Sequence, residues 1–187
     1  MKITLLLVIS FWFLVLGSGN SVLATGNQQE YEPAPDFTLS DIEGNEVTLS
    51  ELLETGPVYM ECWDLACVNC IDELDALLPV YDSLKERGLQ IVALSVDKPS
   101  DEARVRAFVK SKKWPYIVLL DQQQKVKKAY NIIIKPTAFL INMQGEIVYT
   151  HIGYKKGDEK RIADEMGKWL PEKQKEPEPK GTEPGQN

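Results

Sequence analysis

The chain has 187 residues, with 28 acidic against 21 basic side chains and a formal charge of -7. That length suffices for one domain with a sizeable core plus ends. The acidic balance excludes the basic footprint that nucleic acid or a polybasic membrane patch would need. Three cysteines are too few for a disulfide-stapled scaffold, and the single histidine, His151, argues against His-rich metal chemistry.

Met1-Lys2 makes a short positive start, residues 3–16 are apolar but for Thr4 and Ser10, and Val22-Leu23-Ala24 fits a small-residue cleavage site. Residues 1–24 read as a secretory signal peptide whose apolar run is shorter than a membrane span. The expectation is an exported protein, periplasmic or otherwise extracytoplasmic, and membrane-anchored if the signal is uncleaved. Disulfides form and persist in such compartments. Residues 25–34 are polar and pattern-free and read as a flexible linker.

Residues 35–170 carry the folded pattern. Two short strands flank the Gly44-Asn45 turn, and Ser50 opens a helical turn. Residues 57–63 are apolar at alternate and intervening positions, as expected of a strand near a sheet centre. After Cys67 and Cys70, Ile71, Leu74, Leu78, Tyr81 and Leu84 follow helical spacing. Pro79 falls inside that helix and should kink it. A buried strand over 89–96 precedes a helix from Ser100 and a strand over 116–120. A short helix over 125–130 leads to a hairpin, 137–141 and 146–151, and then to a last helix over 158–170. Residues 171–187 are Glu, Lys, Pro and Gly without apolar periodicity and should be disordered. Alternating strands and helices predict an α/β protein with a central mixed sheet, whose active residues lie beyond strand carboxyl ends.

The chemistry centres on Cys67 and Cys70. Two thiols at this spacing can close a small disulfide ring, and a helix N-terminus stabilises a thiolate at the first. Cys67 would attack a substrate disulfide, and Cys70, one turn further in, would resolve the mixed disulfide. A zinc half-site needs a second ligand pair, which is missing at any usual spacing, so no metal is expected. Glu61 lies inside an otherwise apolar strand, which is costly without a task or partner. Lys135-Pro136-Thr137 precedes a strand; were the Lys135–Pro136 bond cis, the backbone of Lys135 could approach a second site.

Several motifs in order resemble the TlpA/ResA-like branch of the thioredoxin fold. They are Ala34-Pro35-Asp36-Phe37-Thr38-Leu39, the Gly44 turn, Val47-Thr48-Leu49-Ser50-Glu51-Leu52, Cys67-Val68-Asn69-Cys70, Asp121 with Lys125-Val126 and Ala129-Tyr130, Pro136-Thr137-Ala138-Phe139-Leu140-Ile141 and Gly145-Glu146-Ile147-Val148. The segment over 100–121 resembles the helix–strand insertion of that branch. The resemblance implies an exported thiol–disulfide oxidoreductase acting on protein thiols and disulfides in the reductive direction. It implies a membrane thiol electron donor and no cofactor. It makes Cys67 the nucleophile and Cys70 the resolving thiol. Glu61 and Glu73 become candidate proton carriers. Pro136 becomes the cis-proline of a substrate groove that also includes Lys135 and Trp63.

The chain departs from that pattern at Ala66, where the family has Trp, at Asn69, where it has Pro, and at Lys135, where it has a small or apolar residue. Lys135 could lower the Cys67 pKa or point outward into solvent. Cys62 reads as packing and His151 as a surface or hairpin residue. Three rival readings remain: a redox-inactive peptide-binding module, a thiol peroxidase, although the peroxidase pattern is absent around Cys67, and a copper carrier using Cys67, Cys70 and His151.

Overall fold

The computed structural model describes residues 30–172. The expected signal peptide, residues 25–29 of the linker and residues 173–187 of the tail lie outside the described residues. Among the described residues, no helix is long and apolar enough to cross a membrane.

A six-stranded mixed sheet forms the centre of the domain. Its strands are β1 (Glu32–Pro33), β4 (Val58–Trp63), β5 (Gln90–Ser95), β6 (Ile117–Leu120), β7 (Thr137–Ile141) and β8 (Glu146–Ile152), in the order β1-β8-β7-β4-β5-β6. β4, β5 and β6 run parallel, and β7, β8 and β1 are added antiparallel. A separate hairpin pairs β2 (Thr38–Ser40) with β3 (Glu46–Thr48). The helices are α1 (Leu49–Leu53), α2 (Val68–Ala76), α3 (Leu78–Leu84), α4 (Glu102–Lys112), α5 (Lys125–Ala129) and α6 (Asp158–Lys168). This is the expected thioredoxin-like α/β architecture, with the α4–β6 insertion present.

β4 organises the packing. All six of its residues are buried, and alternation divides them between two cores. Tyr59 and Trp63 face a core built with Cys70, Leu74 and Leu77, Val105 and Val109 of α4, and Ile162 and Met166 of α6. Val58, Met60 and Cys62 face the other core, with Leu49 and Leu53 of α1 and Val126 of α5. Burial on both sides explains why residues 57–63 lack a polar face.

Four expectations need correction. The linker over 25–34 ends early: Glu32–Pro33 pairs with β8, and the Ala34 N–H donates to the Gly145 carbonyl at 2.8 Å. Polar composition concealed this edge strand because a two-residue edge needs backbone pairing and little apolar surface. The kinked helix is two helices, broken at Leu77. Pro79 lies in the first turn of α3, where its missing N–H costs nothing. Trp63 does not line a groove. It is fully buried, with its ring 5.1 Å from Trp114 and 5.8 Å from Phe108. A side chain on the inner face of a central strand cannot reach the surface. His151 is not a surface residue: it is 3% exposed, within β8 of the β7–β8 hairpin.

Trp63→Ala should therefore act on stability, removing about 3–5 kcal/mol by the lost packing and the cavity left behind. Denaturant unfolding checks this; unchanged stability with weakened substrate binding would restore Trp63 to the groove.

Candidate active site

The turn between β4 and α2 lies at the carboxyl end of the central strand. Its backbone is held from both sides. The Leu65 N–H donates to both carboxylate oxygens of Asp97, at 3.3 and 3.2 Å, and the Ser95 hydroxyl holds that carboxylate at 3.0 Å. The Ala66 N–H donates to Asp64 Oδ1 and the Cys67 N–H to the Asp64 carbonyl, each at 3.1 Å. Cys67 is thereby placed at the N-cap of α2, where its sulfur accepts from the Cys70 N–H at 3.3 Å.

Cys67 and Cys70 form a disulfide, with Cα atoms 5.3 Å apart. The two sulfurs differ in environment. Cys67 is partly exposed beside Ala66 and Val68, which is 67% exposed, whereas Cys70 is fully buried against the sheet. Cys70 Sγ lies 3.7 Å from the Cys62 carbonyl. Cys62, the remaining cysteine, is a buried free thiol whose pKa burial pushes up to about 12, so it packs without ionising. α2 is tied to the insertion: Asp75 receives the Trp114 indole N–H at 2.8 Å and pairs with Lys112 at 2.5 Å, and the Tyr116 hydroxyl donates to the Leu74 carbonyl at 2.9 Å.

The Lys135–Pro136 peptide is cis. Register sets Thr137 opposite both Cys62 and Ile152, and the Pro136 carbonyl accepts from the Gly153 N–H at 2.8 Å. The Lys135 ammonium pairs with the Asp64 carboxylate, both side chains being about three-quarters or more buried. Lys135 does not point outward into solvent. The acid that opens the Cys turn captures it, and burial lowers its pKa. A groove of about 450 Å³ lies alongside, lined by Ile132, Ile134, Phe139 and Ile152 among others. Ile134 and Ile152 are more than half exposed, and sequence reasoning missed both as groove residues.

Beneath the cysteines is a buried polar island. Glu61 and Glu73 are both fully buried. Across the sheet, Ala93, Glu61, Ala138 and His151 share one row, so two alanines leave space for the two larger polar side chains. Glu73, one turn after Cys70 on the buried face of α2, accepts the Tyr59 hydroxyl at 2.7 Å on Oε1. Burial pushes its pKa up to about 7, against the downward pull of that hydrogen bond. Glu61 has no hydrogen-bond partner; burial, then the nearby charge of Glu73, hold its pKa well above the carboxylate range. Glu73 thus lies on the buried face of α2, not among its exposed positions.

The sequence profile of the AhpC/TSA family matches residues 31–150. The chain belongs to the AhpC/TSA family. This AhpC/TSA protein is similar to the thiol-disulfide oxidoreductase ResA of a Bacillus cereus strain, at 33% identity over 120 residues covering 64% of this chain and 68% of the relative. It is similar also to ResA of Halalkalibacterium halodurans, at 35% identity over 122 residues, 65% and 68% of the two chains. The crystal structure of a putative thiol:disulfide interchange protein DsbE from Chlorobium tepidum shares the fold, with a TM-score of 0.68 over 74% of this chain and 96% of that one at 24% identity. The TlpA/ResA-like resemblance therefore holds, and the AhpC/TSA chain is a thiol–disulfide oxidoreductase by class.

Sequence reasoning on this AhpC/TSA chain also missed Tyr59, Asp64, Asp97 and His151. Tyr59 and His151 carried no local signal, because their partners are distant in sequence. Asp64 could have been found as the acid nearest the Cys pair.

Two expected outcomes follow from this chemistry. A carboxyl that holds its proton more tightly in the folded than in the unfolded chain favours the fold while protonated. The Glu73 contribution should thus be greatest below pH 4.5 and fall as pH rises to about 7, by on the order of 3 kcal/mol. Urea unfolding at both ends of this range should show a smaller drop in Glu73→Gln than in wild type; an equal drop would refute the assignment. The Asp64–Lys135 pair should leave Cys67 feeling little net charge. Lys135→Met should raise the Cys67 pKa, Asp64→Asn should lower it, and the double variant should return near wild type. Thiol alkylation rates against pH provide the measurement, and indistinguishable profiles in all four proteins would count against the pair.

Proposed function

We propose that the protein is an exported disulfide reductase in which Cys67 is the nucleophile and Cys70 the resolving thiol. The carrying observation is the asymmetry of the pair. A partly exposed sulfur at the N-cap of α2 accepts a backbone N–H that would equally stabilise a thiolate. Its partner lies fully buried one turn in.

In the dithiol state the Cys67 thiolate attacks a substrate disulfide. One S–S bond breaks, a mixed disulfide forms and a substrate thiolate leaves. Cys70 gives up its proton and attacks Cys67, displacing the bound substrate sulfur. The products are an oxidised Cys67–Cys70 pair and a substrate dithiol: two electrons pass to the substrate, one proton comes from Cys70, and the second comes from the solvent that took the Cys67 proton on ionisation. Glu73 and Glu61 are the proton carriers for Cys70. Glu73 lies on the same helix face as Cys70, and its pKa near 7 suits proton exchange at neutral pH.

The substrates are protein disulfides approaching as extended segments beside Pro136, with Lys135, Ile134 and Ile152 bordering the groove. A membrane thiol donor returns the pair to the dithiol. Residues 1–24 serve as signal or anchor, 25–31 as tether, 32–170 as the catalytic domain and 171–187 as a solvated tail. The rival peptide-binding module draws on exposed Ala66, which leaves the disulfide unshielded by an aromatic ring. The copper reading loses its histidine, since His151 is buried among α6 and Glu73 rather than presented with the cysteines.

Cys70→Ser, expressed with its full N-terminus, should accumulate proteins disulfide-linked to Cys67, and Cys67→Ser should abolish reduction of a model protein disulfide. If nothing is trapped and the Cys67/Cys70 double variant keeps full activity in cells, the peptide-binding module replaces this reading. Peroxide consumption surviving Cys70→Ser would indicate the peroxidase instead.

A further inference from the structure

His151 is the only histidine in the chain, and the thiol chemistry above leaves it without a role. Its imidazole is buried in β8 and reaches toward two carboxylates. Nε2 lies 3.9 Å from Glu73 Oε2 and 3.9 Å from Asp158 Oδ2, at the start of α6. Nδ1 lies 3.3 Å from Arg161 Nη2 on the next turn of α6. A guanidinium only donates, so Nδ1 must accept. The imidazole is therefore neutral with its proton on Nε2, aimed between Glu73 and Asp158. Burial, then Arg161, oppose a second proton, while Asp158 favours one; the net effect lowers the His151 pKa.

Glu73 Oε2 and His151 Nε2 are both buried, and neither has a hydrogen-bond partner. They form an acceptor and a donor facing one another across a gap slightly too long for a bond. With Glu73 protonated on Oε2, two donors would meet and the gap stays open. With Glu73 ionised, the Nε2–H is an uncommitted donor 3.9 Å from the new charge.

We propose that His151 is a positioning residue for Glu73: its Nε2–H, held in that tautomer by Arg161, closes on Oε2 when Glu73 ionises and so sets how readily Glu73 gives up its proton. The groups around Glu73 are Tyr59 and Glu61 from β4, Tyr149 and His151 from β8, Asp158 from α6 and Tyr154 before it, and Asp72 on its own helix. Asp158 opposes ionisation of Glu73. Tyr59 is already committed to Oε1, and the Tyr149 hydroxyl makes no hydrogen bond. His151 Nε2 lies 3.9 Å from Oε2 and has no hydrogen-bond partner, and the Tyr149 hydroxyl is the other free donor of this cluster. The sequence thus couples a residue of α6, Arg161, to a proton-bearing group behind the redox pair. This rests on the proposal that Glu73 carries protons for Cys70, yet the titration of Glu73 itself can be read independently of it.

The test follows the Glu73 carboxyl by carbon-13 NMR in the full chain, with and without His151. His151→Phe, similar in size, should move the Glu73 midpoint upward by at least about tenfold in proton affinity, the order expected for losing a charge-assisted hydrogen bond. His151→Gln, which can still present an N–H, should recover a large part of that shift. An unmoved midpoint in His151→Phe, or equal shifts in Phe and Gln variants, overturns the proposal. Nitrogen-15 NMR of wild type needs no variant to fold, and the lone histidine makes its signal unambiguous. The Nε2–H tautomer supports the proposal and an Nδ1–H tautomer refutes it. Failure of the proton-carrier role alone would appear elsewhere, as a thiol-reactivity pH profile unchanged by Glu73→Gln, and the Glu73 midpoint would still decide the role of His151.

Discussion

Burial of both faces of β4 is the constraint on which this structure depends. A central strand has no solvent side, so each of its six residues must satisfy one of two cores. The outcome for function is a rigid strand end. The turn from Asp64 to Cys67 leaves that end with its direction already set, and Asp97 just beyond the neighbouring strand ties down the Leu65 amide. Loop residues placed by such a scaffold can hold reactive groups within a narrow range. Here that fixes one sulfur partly exposed at a helix N-terminus and the other buried behind it.

The same constraint makes the polar side chains behind the disulfide expensive. Burial dominates the ionisation of both Glu61 and Glu73, and the two differ mainly in what offsets it. Tyr59 donates to Glu73 and brings it near neutrality. Glu61 has no donor and sits beside another acid, and its pKa is held well above the carboxylate range. A fully apolar core would be safer, because partly satisfied buried networks cost stability. Retaining two acids, two tyrosines and a histidine between the sheet, α2 and α6 is understandable if protons must move where the thiols change charge.

Around the exposed face, charge is arranged to cancel. Lys135 stands where the related pattern has an uncharged residue, and Asp64 takes up its charge at the start of the Cys turn. The pair also links the cis-Pro136 loop to the segment that presents Cys67. Behind α2, the insertion contributes Lys112, Trp114 and Tyr116 as three further anchors. α4 and β6 therefore brace the helix that carries the cysteines.

The sequence by itself determined what is local or periodic. The Cys-x-x-Cys spacing, the apolar run of β4, the helix after it and the hairpin closed by Gly145 each depend on neighbours within a few residues. Those signals, with the ordered motifs, were enough for fold and chemical class. Only the tertiary structure decided the rest. The alternation in β4 could not say that Trp63 faces a core rather than a groove, because a strand with two apolar faces has no readable outside. Pro79 announced a disturbance, but whether the helix bent or broke depended on packing around Leu77. Glu73, His151, Asp158 and Arg161 come from three elements, α2, β8 and α6. Their meeting depends on sheet register and helix placement, and single-residue patterns do not encode either.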